Sequence, residues 1–412
     1  MKWRNDAGTD IGKITKDGRV TAPNLTELVV NGKDRGAMGD GVADDSSAIY
    51  AAVAAASAAG GGTVYLPAGT FRVASRIGLK TRVNIKGAGR GATVIKAAAG
   101  VTSAVLLGAS GDAVSDATYE DFTIDGDYTA SSVAIGQAIQ ITTGQRCQFR
   151  RLLIRDTARS AVSLASHTDA RIEACEVARN GLDGNTEGHS IVLNAAHRTQ
   201  IVDLIASGGL GMCVSLTGST LGAQVAGGRL TNATSPTGFE AIGVAAGSNC
   251  LRVSNVRIVD AKDNGISISS DRCTVTGCTI DGAENSPISV LGNDNTITGN
   301  VCAKGGHEVS ATTYAGITVS GSRNAITGNR CFDSQATKTQ DYGVLERVTG
   351  DYKPGDWQRP GRKHDSVEEC RRNEFDRREQ YRVDGGAAPI GVAPPNAYGR
   401  SAAANSGLSP RE

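Results

Sequence analysis

Short apolar centres flanked by polar residues recur along most of this chain. Four stretches superimpose residue for residue: Asn249-Cys-Leu-Arg-Val-Ser-Asn, Asp271-Arg-Cys-Thr-Val-Thr-Gly-Cys, Asp294-Asn-Thr-Ile-Thr-Gly-Asn and Arg323-Asn-Ala-Ile-Thr-Gly-Asn. Their centres, Val253, Val275, Ile297 and Ile326, are separated by 22, 22 and 29 residues. The same template runs back through Val225, Ile201, Ile172, Phe149 and Tyr119, and forward to Phe375. A second series alternates apolar and polar residues around Ile139, Val162, Ile191, Val214, Ile242, Ile266, Ile288 and Ile317. Period-2 alternation marks strands with one buried face. Each second-series strand precedes the next first-series centre by 9 to 11 residues, whereas the way back varies in length.

One constant corner and one variable corner describe a solenoid, in which strands stack about 4.8 Å apart and insertions bulge to one side. The pattern predicts an all-β fold, a right-handed parallel β-helix of at least eight coils. No segment sustains a 3.6-residue period over a repeat, which excludes helical solenoids. Three residues after the first-series centres come Leu152, Cys175, Leu204, Gly228, Val256, Cys278, Asn300 and Asn329, an interior column. Cys302 and Cys331 belong to the next column with Ile258 and Ile280. Most of the nine cysteines therefore read as small core residues with free thiols, and Asn300 and Asn329 as an amide ladder.

Ahead of the coils stands Arg35-Gly-Ala-Met-Gly-Asp-Gly-Val-Ala-Asp-Asp-Ser-Ser-Ala-Ile. Asp44 or Asp45 can cap a helix of alanines running to about Ala59, and Gly60-Gly-Gly stops it. Thr63-Val-Tyr-Leu-Pro-Ala-Gly-Thr-Phe then reads as strand, turn, strand. This combination resembles the pectate-lyase-like β-helix superfamily, in the form found in bacteriophage tailspikes and some glycoside hydrolases. The resemblance covers residues 34–96 closely and the coils to about Val383 more loosely. It implies that the first helix plugs the open end of the solenoid and that Asp40, Asp44 and Asp45 are structural. It also implies an attachment arm over residues 1–33, where Ile11 to Val20 suggests a small hairpin. The β-helix is expected over residues 34–383, with the capping helix and first coil in 34–80. Residues 384–412, rich in Ala, Gly, Pro and Ser, read as a tail or interchain arm.

Composition narrows the function. Acidic and basic residues nearly cancel, 42 against 43, and aromatics are 4% of the chain, so neither nucleic acid nor an anionic membrane is an expected partner. The opening Met1-Lys-Trp-Arg-Asn-Asp carries no apolar leader, which suggests assembly in a reducing cytoplasm. Metal, nucleotide and Ser-His-Asp signatures are absent, and no cofactor is expected. The loop Asn180-Gly-Leu-Asp-Gly-Asn-Thr-Glu-Gly-His-Ser offers Asp183, Glu187 and His189 within seven residues. Glu240 falls in the register of His189 two coils on, roughly 10 Å away. Two carboxylates suffice for glycoside cleavage, and a base with a charge stabiliser for lyase or epimerase chemistry. Asp183 or Glu187 would be acid or nucleophile, assisted by His189 or Glu240. His307, Glu308, Asp263 and Glu284 are further candidates, whereas Asp156, Asp260 and Asp333 read as turn residues. Outward positions of the second series (Gln140, Ser163, Val192, Ser215, Gly243, Ser267, Ser289, Thr318) suggest a flat hydroxyl-bearing face for an extended glycan. The expectation is a homotrimeric, tail-associated spike of a phage virion that contacts other tail proteins through residues 1–33. It binds bacterial surface polysaccharide and, if catalytic, depolymerises it. A purely adhesive virion protein and a bacterial polysaccharide lyase, hydrolase or epimerase are the alternatives.

Overall fold

The computed structural model describes residues 2–4, 10–14, 20–21, 28–98, 106–108, 112–128, 137–182, 188–231, 238–306, 314–335, 338–347 and 381–382. The chain is a right-handed parallel β-helix whose coils carry three strands rather than two. First-series strands stack in a 13-stranded sheet and second-series strands in an 11-stranded one. A third, 12-stranded sheet lies between them in chain order. One coil illustrates the path: Arg171–Glu173 in the first sheet, Glu176–Ala178 in the third and Ile191–Asn194 in the second. The third sheet follows the first after only two residues, so its apolar centres look like a continuation of the first-series pattern. The long insertions leave the third sheet and enter the second, on the variable corner.

Register agrees with the apolar spacing. Phe149, Ile172, Ile201, Val225, Val253, Val275, Ile297 and Ile326 are successive partners in one column. All are at most 2% exposed. Complete burial of such a side chain stabilises by about 1.5–3 kcal/mol. Ile258, Ile280, Cys302 and Cys331 form the neighbouring column. The amide ladder is present: Asn300 Oδ1 accepts from Cys278 N at 2.9 Å and Asn329 Oδ1 from Asn300 N at 3.0 Å. A second ladder runs beside it, with Asn295 Oδ1 accepting from Cys273 N at 2.7 Å and Asn324 Oδ1 from Asn295 N at 2.8 Å. The expected continuation at Phe375 lies outside the described residues. The segment beside Ala325–Thr327 is instead Tyr381–Arg382, paired antiparallel.

Six cysteines (147, 175, 213, 273, 278 and 302) are buried, Cys331 is half-buried, and Cys250 is exposed. One interior group is less easily explained by packing. His167 is fully buried, and both its ring nitrogens lack a hydrogen-bond partner. Outside, the left-handed corner between the second and first sheets carries arginine and aspartate on successive coils. Arg146 with Asp116, Arg198 with Asp169, and Arg323 with Asp294 pair at 2.6 to 2.7 Å, and all six have positive φ. Each exposed pair contributes roughly 0–1 kcal/mol, less than the roughly 1–2 kcal/mol of strain of one non-glycine residue in that region.

The capping helix α1 spans Ser46–Ala58 and buries Ile49, Ala52, Val53 and Ala56 against the first coils. Asp45 occupies the N-cap position, but its carboxylate does not cap the helix. It accepts from Met38 N at 2.6 Å and Gly39 N at 3.1 Å, tying the preceding loop to the helix start. Asp44 does the capping, accepting from Ser46 N at 3.0 Å, and its side-chain bond to the Ser46 hydroxyl holds its carboxyl below the usual range. Asp40 closes a tight turn by accepting from Val42 N and Ala43 N. Gly62, at φ +146°, passes so close to Leu28 that an added Cβ would sit 2.6 Å from its carbonyl oxygen. Ahead of this cap, Lys2–Arg4, Asp10–Ile14 and Val20–Thr21 make a separate antiparallel sheet.

Candidate functional site

The entry to each second-sheet strand lies where the variable corner delivers the chain. Counting two residues back from the registered column Ile139, Val162, Ile191, Val214, Ile242, Ile266 and Ile288 gives Gln137, Ser160, His189, Met212, Glu240, Asn264 and Ser286. Backbone bonds hold this row in step, for example Ser190 N to Met212 O at 2.8 Å and Ala241 N to Asn264 O at 3.1 Å. His189 and Glu240 therefore share a register two coils apart, with Met212 between them. Asp183 and Glu187 lie outside the described residues, as do His307 and Glu308.

His189 is held from two directions. Its Nδ1 accepts from Met212 N at 3.0 Å, which leaves the proton of the neutral ring on Nε2. Its ring meets Phe239 edge-on, with centroids 5.5 Å apart. In this arrangement Nδ1 cannot act as a base, and protonation of the ring would cost the amide bond. Met212 reaches along the sheet: a Cβ on Gly243 would stand 2.5 Å from its Sδ and 3.8 Å from Glu240 Oε2. Gly243 thus leaves room for the thioether, and the Glu240 carboxyl lies over the same strand.

Glu240 begins a row of carboxyls on three successive coils, continued by Asp263 and Glu284. Burial raises the Glu240 pKa, and the charge of Asp263 raises it further, against a hydrogen bond from the Ser267 hydroxyl. Asp263 is raised by burial and by Glu284, although Asn285 Nδ2 donates to it at 3.2 Å. Glu284 pairs with Lys262. The arrangement favours a proton on Glu240 or Asp263 at pH values where free carboxyls are ionised. Such a group donates a hydrogen bond to an anion and can act as a general acid.

The flat hydroxyl face is not open as expected. Ser163, Ser215, Ser267 and Thr318 are between 3 and 9% exposed. Small side chains on a sheet are overshadowed by longer neighbours: Glu240 bonds to Ser267, and Thr318 pairs with the Ser286 hydroxyl at 2.7 Å. Gln140, Val192 and Ser289 remain partly exposed. Of the residues read as turns, Asp156 (φ +55°) and Asp333 follow their strands, while Asp260 (φ +50°) lies within Arg257–Ala261. Met212 and Phe239 escaped the sequence reading because neither titrates; the register count alone would have placed Met212 here. Among the described residues no cluster of His, Cys, Asp or Glu could hold a metal ion, and no helix is long and apolar enough to cross a membrane.

Comparison with known proteins accords with this fold. Residues 29–288 match the family model described as rhamnogalacturonase A/epimerase, pectate lyase-like. The chain belongs to this family. Residues 240–347 also match a model for the right-handed β-helix region. Family membership agrees with the resemblance carried by the cap sequence. Among curated proteins, mannuronan C5-epimerase AlgE1 of Azotobacter vinelandii is 49% identical over 107 residues, covering 24% of this chain and 8% of its own. Alginate lyase 7 of the same organism is 40% identical over 107 residues, covering 24% of this chain and 12% of its own. The family member described here thus spans about a tenth of the length of these relatives. Among solved structures, the A-module of A. vinelandii mannuronan C-5 epimerase AlgE6 superimposes with a TM-score of 0.60 at 20% identity, covering 78% of this chain and 91% of that one. ORF18 of Geobacillus virus E2 does so with a TM-score of 0.63 at 20% identity, covering 76% of this chain and 62% of that one. Likenesses at such identity speak for the fold.

Proposed function

We propose that this chain binds an extended acidic polysaccharide across the entry edge of the second sheet and alters it beside Glu240. The reaction class is proton removal next to a uronate carboxylate, the step shared by C5-epimerases and polysaccharide lyases. The observation that carries this reading is the pair Glu240 and Asp263, two partly buried carboxyls on successive coils with raised pKa values. A protonated carboxyl can donate to the uronate carboxylate and stabilise the negative charge that develops when its neighbouring carbon loses a proton. Asp183 or Glu187 would supply the base and neutral His189 would orient the sugar. Sequence kinship with proteins named mannuronan C5-epimerase and alginate lyase supports the same class. Purified protein is incubated with polymannuronate, polygalacturonate and neutral dextran, following unsaturated ends by absorbance and C5 configuration by NMR. Glu240→Gln should keep the fold and lower turnover by orders of magnitude. Wild-type turnover should fall as pH rises through the raised Glu240 pKa, because the protonated form is the working one. No product from any polyuronate, or unchanged turnover in Glu240→Gln, overturns the assignment.

A second reading, a phage tail spike that holds glycan without altering it, is favoured by the separate antiparallel sheet of residues 2–21 ahead of the first coil. In that reading residues 1–33 contact other tail proteins and three chains pack side by side through their lateral faces. Light scattering of the full chain should then give a trimer mass; a monomer counts against the spike.

A further inference from the structure

Many arginines on the outer surface pair with a carboxylate one coil away. Arg146, Arg151, Arg155, Arg179, Arg198 and Arg323 each reach a carboxylate on the preceding coil at 2.6 or 2.7 Å. Arg229, Arg252 and Arg257 are exposed, yet none forms an ion pair with a described carboxylate. They fall on two successive coils. Arg229 and Arg257 are direct register partners on the third sheet, so their backbones stand about 4.8 Å apart. Arg252 lies on the first sheet in the same coil as Arg257, its strand neighbours being Gln224 and Thr274. Ile205, the register partner of Arg229 on the other side, is 45% exposed.

Asp203 stands at the same corner, its Oδ1 towards Gly227, so the surface carries three guanidinium groups against one carboxylate. Stacked like charges in such excess repel, and an anionic ligand relieves the repulsion. We propose that Arg229, Arg252 and Arg257, with Ile205 beside them, form a second glycan-binding surface at the corner of the first and third sheets. It takes an acidic polysaccharide and is separate from the entry edge of the second sheet. Guanidinium forks fit planar carboxylates in two-point contacts and repeat along the solenoid axis, as anionic groups repeat along a polyuronate. The exposed Ile205 offers an apolar contact for the carbon face of a sugar ring. A nucleic acid fits less well, since among the described residues the exposed large hydrophobic at this surface is Ile205 rather than an aromatic that could stack on bases, and the chain's net charge is only +1. Joined to the first site by one long polymer, this surface raises the local concentration of substrate at Glu240.

The proposal rests on the reading that the ligand is an acidic glycan, and its test measures binding alone. Fluorescently labelled alginate is titrated into the Glu240→Gln chain, in which turnover is removed from the readout. Arg229→Gln/Arg257→Gln on that background should weaken binding at least tenfold at low salt, and Arg229→Lys/Arg257→Lys should restore part of it. Added salt should weaken the parent complex far more than the doubly substituted one. Arg198→Gln, which removes an already paired arginine, should bind like the parent. Equal affinity of parent and Gln variant for alginate overturns the proposal, as does equal affinity of the parent for duplex DNA. Failure of the second-sheet reading shows instead as absence of product from the wild-type chain, whatever the binding result.

Discussion

His167 should make the stability of this fold fall with acid in a window where its arginine-paired carboxylates do not. The imidazole is fully buried, with neither ring nitrogen hydrogen-bonded. Burial pushes its pKa down to about 4 from 6.5, outweighing the opposing pull of Asp169. The unfolded chain binds a proton near pH 6.5 and the folded chain only near pH 4, so between these values the unfolded state holds more protons. Stability is therefore complete above about pH 6.5 and declines as pH falls towards 4. The full shift of about 2.5 units corresponds to roughly 3 kcal/mol, of which about 2 kcal/mol is lost by pH 5. Asp116, Asp169 and Asp294, held low by their arginines, lose their contribution only below the ordinary carboxylate range. The raised Glu240 and Asp263 act with the opposite sign. His167→Leu isolates the imidazole, since it removes the titration along with two unsatisfied polar atoms. Urea unfolding at pH 8 and pH 5 should show wild type losing about 2 kcal/mol more than the variant, with the variant no less stable at pH 8. Equal losses in the two proteins would refute the argument.

Three further outcomes follow from the interior. Val275→Asp should cost several kcal/mol and leave little folded protein, because a carboxyl in the sealed first-sheet column has no partner; a cooperative transition near wild type by circular dichroism contradicts the register. Asn300→Ala should cost about 1–3 kcal/mol in urea unfolding, since Cys278 N loses its buried acceptor. Among the described cysteines, Cys250 should react first with a thiol reagent and Cys331 more slowly. Cys278 and Cys302 should stay silent until unfolding, the Cys278 thiol being pushed up to about 11 by burial; mass-mapped labelling of either in the native state counts against the burial.

How much of this was legible in the sequence depends on which signal each feature leaves. Column residues such as Val253, Val275 and Ile297 recur because a coil offers one inward place at each height, and only an apolar side chain fits it. The first and second sheets were therefore readable. The third was not separated from the first, because two residues of turn between Glu173 and Glu176 leave no break in the apolar pattern. The capping sequence was readable as a unit, but the division of labour inside it was not. Asp44 and Asp45 are chemically identical, and only the backbone path decides which reaches Ser46 and which reaches Met38. The same limit applies at the site. Glu240 joined His189 by register arithmetic, whereas the raised pKa values of Glu240 and Asp263 arise from burial and proximity across coils, with insertions of unequal length in between. A solenoid keeps its core periodic and places its chemistry at the variable corner, where periodicity stops. Residues there become readable only when counted back from the next strand. That count is what puts Met212, Glu240 and Asn264 in one row, with Asp263 beside it, and it makes Glu240→Gln and Asp263→Asn the substitutions that most directly separate a working site from a passive edge. If the row works as a unit, the two together should cost little more in turnover than the larger single effect; independent roles would give losses that multiply.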